Sequence, residues 1–241
     1  MTRCVNVFYN SITMEFVGID TFSLLDFDNY VSVVLFTPTC NFRCPFCHNG
    51  ETVLKSNKQI FFDEILTYLK SKKGLIDAVV ISGGEPTLMP ELKQRIQQIK
   101  KLGFLVKLDT NGTNPKCLKE LIENNLLDYV AMDIKNSLPA YPKTCGVSQV
   151  NEGEIIKSIE LLKDNKVPYE FRTTLVEEFH DEKSIKGVGE LIIGAKILYL
   201  QKFVDRDGII EKGLHEVPLE IAQNYQDLLE YYVNDVKLRG Y

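Results

Sequence analysis

Short apolar runs alternate with amphipathic stretches along this chain, and that alternation limits the fold more than any other feature. Tyr30–Thr37 (YVSVVLFT) is nearly continuous in apolar residues, as expected for a strand buried on both faces. A helix is predicted over Phe62–Lys73, stopped by Gly74, and a strand at Ala78–Ser82. Pro90 opens a helix that runs to Lys101 with Leu92, Ile96 and Ile99 on one stripe; Gly103 ends it. Phe104–Leu108 reads as a strand. Asn114 and Pro115 then supply the cap and first turn of a helix. Tyr129–Ile134 is the next strand. Asn151 to about Asp164 is a helix, with Asn151 and Glu154 spaced as a capping box. Tyr169–Leu175, a helix over Asp181–Ile193 closed by Gly194, and Ile197–Phe203 complete the series.

Six βα-like units imply an α/β fold with a parallel sheet and outer helices, a partial (β/α)6 TIM-type barrel short of the usual eight. Pro218–Lys237 carries apolar residues at helical spacing and is expected to dock on the sheet as a C-terminal helix. Residues 1–29 read as an N-terminal extension with short strands of its own. No linker or low-complexity tract interrupts the pattern, so a single domain over 1–241 is expected, with its core at about 22–203. The 241 residues are 44% hydrophobic and 25% charged, ordinary for a soluble globular protein. A net charge of −5 argues against a broad nucleic-acid surface. No apolar run reaches membrane-spanning length and MTRCVNVFYN is not a signal-peptide pattern, so a cytoplasmic protein without membrane or nucleic-acid partners is expected. Six cysteines in such a chain point to thiolate chemistry before disulfides. Cys4, Cys117 and Cys145 are scattered and read as free thiols; His180 and His215 read as loop or surface residues.

Cys40, Cys44 and Cys47 lie in one run, TCNFRCPFCHNG, directly after the first apolar strand. Three thiolates on one loop can hold three corners of a [4Fe–4S] cluster, whose usual protein ligand set is four cysteines. No fourth cysteine is evident nearby. One iron is then open, and an open coordination position marks a catalytic site in zinc chemistry. A Cys3His zinc site using His48 is the competing reading of the loop, although adjacent residues chelate one tetrahedral ion poorly.

The other unusual residues fall at the C-terminal ends of the strands, the face that builds active sites in parallel βα barrels. Gly83 and Gly84 in SGGEP let backbone approach a ligand closely, and Glu85 beside them suits a cationic amine. Asp109 and Asn111 in LDTNG, and Asp133 in MDIK, end the next two strands; both aspartates can accept hydrogen bonds from an ammonium or from ribose hydroxyls. Lys135 can pair with a carboxylate as a point charge. Arg172 and Gln201 lie in the fifth and sixth strands. A helix cap is the alternative for Asp109, and a solvated surface lysine for Lys135. Together the groups offer an open iron, an amine site, a carboxylate site and hydroxyl acceptors. S-adenosylmethionine matches all four.

CNFRCPFCHN, SGGEPTL, LDTNG and MDIK, in that order, resemble the radical S-adenosylmethionine superfamily in its glycyl-radical-enzyme activase branch. The segment FSLLDFDNYVSVVLFTPTCNFRCPFCHNG is most similar to activating proteins of anaerobic ribonucleoside-triphosphate reductase, and the similarity runs from about Phe22 to Phe203. The resemblance implies one [4Fe–4S] cluster on Cys40, Cys44 and Cys47. It also implies S-adenosylmethionine held by Gly83, Gly84, Glu85, Asp109, Asn111, Asp133 and Lys135. The implied reaction is reductive cleavage of S-adenosylmethionine, then abstraction of a hydrogen atom from a glycine of a partner glycyl-radical enzyme. A low-potential flavodoxin or ferredoxin is the implied electron donor. The chain departs from the branch at Thr39, where Gly is common, and at Gly50, where Pro is common. Two other readings stand beside this one: a small-molecule enzyme resembling 7-carboxy-7-deazaguanine synthase, and a zinc-binding interaction module. An incomplete barrel leaves a flank through which a partner's loop could enter.

Overall fold

The computed structural model describes residues 15–50 and 58–241; Cys4 and the first part of the expected N-terminal extension lie outside them. In chain order the elements are β1 (Gly18–Ser23), β2 (Ser32–Thr37), α1 (Phe62–Ser71), β3 (Ala78–Gly83), α2 (Leu92–Lys101), β4 (Leu105–Thr110) and α3 (Pro115–Glu123). They continue with β5 (Tyr129–Asp133), α4 (Glu152–Lys163), β6 (Tyr169–Leu175), α5 (Glu182–Leu191), β7 (Leu198–Lys202), α6 (Leu219–Leu229) and β8 (Val236–Arg239). A one-turn helix, Tyr141–Thr144, lies between β5 and α4. The strands pair in sequence order, with β1 antiparallel to β2 and every later pair parallel. Strands β1 and β8 are the two ends of that order, so the sheet is an open, partial barrel.

The six βα units appear as expected, β2–α1 through β7–α6, and the C-terminal docking helix is the sixth α. A seventh parallel strand, β8, is a correction to the sequence reading. The helix expected over Pro218–Lys237 stops at Leu229, and Val236–Arg239 pairs with β7 instead. Two smaller corrections concern helix starts. Helix α2 begins at Leu92 behind Glu91, not at Pro90. The side chain of Asn151 makes no cap bond, and Glu154 N–H donates to the Asn151 carbonyl (3.1 Å). The reciprocal capping box sits on α5, where Asp181 and Ser184 cap one another.

The two faces of the sheet differ in kind. Val33, Leu35, Val79, Ile81, Val106, Leu108, Val130 and Phe171 point outward and form the main core with the helices. The alternate positions point inward. Near the base these are apolar: Val34, Ala78 and Val80 pack with Phe27. Higher up they are charged. Lys107 lies 3.6 Å from Glu170, and above them stand Asp109, Asp133 and Arg172. A closed barrel fills this volume with branched apolar side chains; here it leads into a polar cleft.

Candidate active site

The cleft opens at the C-terminal ends of the strands and has a cavity volume of about 210 Å³. Cys40, Cys44, Cys47, Gly83, Gly84, Glu85, Asp109, Asn111, Asp133 and Lys135 all line it, so the expected cluster and S-adenosylmethionine residues converge here. Arg172 and Gln201 line it too, with Ser82, Thr110, Thr174 and Ile210, which the sequence did not mark.

The cysteine loop is tied to three strand ends. The Asn41 carboxamide accepts from Asn111 Nδ2 (2.9 Å) and donates to Thr113 Oγ1 (2.9 Å), fixing the loop to the end of β4. Asn49 Nδ2 donates to the Gly83 carbonyl (3.1 Å) at the end of β3. His48 Nε2 reaches the Val204 carbonyl (3.1 Å) beyond β7, and its ring stacks on Phe203. His48 also lines the cleft, but these contacts occupy its Nε2 and one ring face, which speaks against its use in a Cys3His site. Among the described residues no three His, Cys, Asp or Glu side chains converge as one metal ion requires. Thiolates sharing a zinc ion would stand roughly 3.8 Å apart, from a Zn–S bond of about 2.3 Å. Thiolates that each serve a different iron need not converge on one point.

Burial pushes the Cys40 thiol up to about 12 and raises Cys47 as well. Cys44 differs: a hydrogen bond from the Cys145 thiol lowers it to about 7 against the effect of burial, with help from Lys135. Cys145 is fully buried, and its carbonyl accepts from Arg43 N–H (2.8 Å). Nothing in the sequence separates this thiol from an ordinary core cysteine.

Both departures from the activase pattern have a local explanation. Thr39 adopts φ 56°, a left-handed conformation that glycine reaches without strain. At Gly50 a Cβ would lie 2.6 Å from the Gly208 carbonyl, because the segment after β7 packs directly over the loop.

Glu85 has a job the sequence did not suggest. It is 1% exposed and accepts from four donors: Thr87 N–H (3.1 Å), the Thr87 hydroxyl, Thr110 Oγ1 (2.7 Å) and Asn111 N–H (2.7 Å). It therefore fastens the glycine loop to the end of β4. Burial raises its pKa, opposed by those donors. Gly84 sits so close to the cysteine loop that a Cβ would lie 1.7 Å from the Thr39 carbonyl.

Across the floor runs a row of alternating charge. Asp109 Oδ2 accepts from Ser82 Oγ (3.0 Å) and lies 3.4 Å from Arg172 Nη1. Arg172 Nε donates to Asp133 Oδ1 (2.9 Å), and Lys135 Nζ donates to Asp133 Oδ2 (2.8 Å). Burial disfavours the Asp133 charge, but the Arg172 and Lys135 cations outweigh it and hold this carboxyl down at about 2. The same carboxylate and the Cys44 sulfur raise Lys135 despite its burial. Asp109 Oδ1 is buried at the cleft without a hydrogen-bond partner, a position that calls for a ligand donor. Asp109 is not a helix cap, since Asn114 caps α3.

Residues 34–185 match the profile of the radical SAM superfamily. The chain belongs to that superfamily. A Methanocaldococcus jannaschii protein assigned as a glycyl-radical enzyme activating enzyme is 34% identical over 229 residues, which cover 92% of this chain and 94% of the relative. The pyruvate formate-lyase-activating enzyme of Staphylococcus aureus is 29% identical over 179 residues, covering 66% of this chain and 68% of the relative. The fold is shared with a domain of the pyruvate-formate lyase-activating enzyme from Bacteroides vulgatus: TM-score 0.55, 24% identity, 68% of this chain and 99% of that one. It is also shared with Streptococcus suis SuiB bound to S-adenosylmethionine: TM-score 0.66, 13% identity, 86% of this chain and 52% of that one. This radical SAM enzyme thus falls in the glycyl-radical activase branch, and its cofactors are a [4Fe–4S] cluster and S-adenosylmethionine. The cleft has a fitting donor set: three thiols, a His48 imidazole whose Nε2 is engaged by the Val204 carbonyl, bare backbone at Gly83 and Gly84, and a partnerless carboxylate oxygen at Asp109. Among the described residues no helix is long and apolar enough to cross a membrane.

Proposed function

We propose that this chain activates an anaerobic ribonucleoside-triphosphate reductase by installing its glycyl radical. The observation that carries the reading is one cleft with three thiols on one wall and the Asp109–Arg172–Asp133–Lys135 row on its floor. Bound together, the cluster and S-adenosylmethionine supply one-electron chemistry that ends with removal of a hydrogen atom from carbon. The chain's own residues bind, orient and enclose.

Cys40, Cys44 and Cys47 hold the cluster. Gly83 and Gly84 expose backbone carbonyls to the methionyl amine, and Glu85 keeps that loop in place from behind. Asp109 offers its free Oδ1 to the amine or to ribose, and Asn111 and Asp133 stand on the same side. Lys135 faces the methionyl carboxylate. The open edge between β1 and β8 suits a partner polypeptide, whose glycine-bearing loop enters the barrel from the flank. A low-potential flavodoxin or ferredoxin supplies the electron, and the cytoplasm is the compartment that fits.

The test is anaerobic reconstitution followed by EPR. Four irons per chain, a cluster signal that shifts on adding S-adenosylmethionine, and a glycyl doublet on the reductase are expected. Turnover of a pterin with no protein radical would replace this reading with the small-molecule one. Zinc without iron or sulfide would end both.

A further inference from the structure

Residues 133–136 leave β5 and carry two groups of the cleft, Asp133 and Lys135. Their backbone is held from behind by side chains that never reach the cleft. Tyr141 Oη accepts from Lys135 N–H (3.3 Å) and donates to the Asp133 carbonyl (3.4 Å). Thr173 Oγ1 donates to the Ile134 carbonyl (2.8 Å). Asn136 Nδ2 donates to the Phe179 carbonyl (2.7 Å) and to Thr144 Oγ1 (2.9 Å). His180 Nε2 lies 3.0 Å from the Lys135 carbonyl.

His180 was read as a loop or surface residue; it lies in a loop but is only 3% exposed. Its protonation follows from its neighbours. Val176 N–H lies 3.0 Å from Nδ1, and the Val176 carbonyl lies 3.1 Å from the same nitrogen. The Lys135 carbonyl can only accept, so Nε2 carries the proton. Burial lowers the imidazole pKa and keeps the ring neutral. The turn that carries it is anchored elsewhere. The His180 carbonyl accepts from Tyr225 Oη (3.1 Å) of α6, and the Phe179 ring packs 5.8 Å from Phe46, between Cys44 and Cys47. One turn, 176–180, with Val176 and His180 buried, therefore touches both the cysteine loop and the Lys135 backbone.

We propose that His180 is a positioning residue: its Nε2–H fixes the Lys135 carbonyl and so aims the Lys135 ammonium at the carboxylate of S-adenosylmethionine. This rests on the role given to Lys135 above. A lysine ammonium is a point charge on a flexible four-carbon stem, so its aim depends on its backbone and on its partner. Asp133 is that partner, and it shares the same braced segment. Without the imidazole proton the Lys135 carbonyl loses its donor, and the segment can turn within the space left behind.

The test compares wild-type, His180→Ala and His180→Gln proteins after anaerobic reconstitution. It reads S-adenosylmethionine affinity by calorimetry, iron and sulfide content, and thermal midpoint. Glutamine can place an N–H near the position of Nε2. We expect His180→Ala to bind S-adenosylmethionine at least about tenfold more weakly with unchanged iron, and His180→Gln to recover to within about threefold of wild type. Unchanged affinity in His180→Ala overturns the proposal. So does a glutamine variant no better than alanine, or iron loss that parallels the loss of affinity, since either indicates packing alone. If His180→Ala does not fold, His180→Gln alone decides: near-wild-type affinity supports the proposal, and a tenfold loss at full iron content overturns it. Wild-type protein that fails to bind S-adenosylmethionine at all would instead remove the functional reading on which the proposal rests.

Discussion

Replacing Arg172 with methionine removes the cation that two carboxylates share. Arg172 Nε is 2.9 Å from Asp133 Oδ1 and Nη1 is 3.4 Å from Asp109 Oδ2. The Asp133 side chain is 28% exposed and its pKa falls from 3.8 to about 2, which corresponds to about 2 kcal/mol of stability at neutral pH. Lys135 supplies part of that, so the share lost with Arg172 is about 1 kcal/mol. Asp109 adds the larger cost. It is 13% exposed, one of its oxygens already lacks a partner, and the variant leaves its charge buried without a cation. Breaking a buried pair from one side costs about 3–5 kcal/mol. The expected loss at pH 7 is therefore about 3–5 kcal/mol, a large part of a total of about 5–15. Because the folded pKa of Asp133 is depressed, its contribution is complete above pH 4 and disappears as pH falls through 2. The difference between wild type and variant should therefore narrow between about pH 4 and pH 2. Urea unfolding followed by circular dichroism at several pH values measures both quantities. A loss below about 1 kcal/mol at pH 7, or one that does not change with pH, would refute the reasoning.

Other substitutions probe the loop anchors. Gly84→Ala drives a Cβ into the Thr39 carbonyl next to Cys40, and iron content after reconstitution should fall severalfold. Glu85→Gln sets an amide N–H₂ against donors on at least one side and should cost about 1–3 kcal/mol in urea unfolding. Thr39→Gly relieves a left-handed β-branched residue at some cost in unfolded-chain entropy, and should leave stability unchanged or raise it by up to about 1 kcal/mol; a lower urea midpoint would contradict this.

The βα alternation was legible because each strand is a short apolar run and each helix carries its own punctuation, such as Asn114–Pro115 and Gly194. Strand β8 was not. Its four residues continue the helical spacing of α6, and only pairing with β7 makes them a strand. The cleft was legible because its residues sit at strand ends, whose convergence follows from parallel topology. What the sequence hides is which way a side chain faces once there. Glu85 was read for its place beside a ligand and also serves as a fastener, because Thr87, Thr110 and Asn111 all donate to it. His180, between Phe179 and Asp181, read as a loop or surface residue; it is in a loop but buried, because the Val176 backbone and the Lys135 carbonyl offer partners to its two ring nitrogens. His215 did prove to be exposed and pairs with Glu178 (2.7 Å). Cys117 and Cys145 are free thiols, as expected, but the contact of Cys145 with Cys44 has no signature in one dimension.

The moorings of the cysteine loop at Asn41, His48 and Asn49 carry a consequence for assembly. A segment held by amides and an imidazole at separate strand ends acquires its shape from the folding of the scaffold. With Cys40, Cys44 and Cys47 as the proposed ligands, incoming iron and sulfide would meet a finished berth, and little further ordering entropy would oppose their capture. Metals that demand tighter convergence of the sulfurs would have to tear those lines loose, so the scaffold itself helps choose what is loaded.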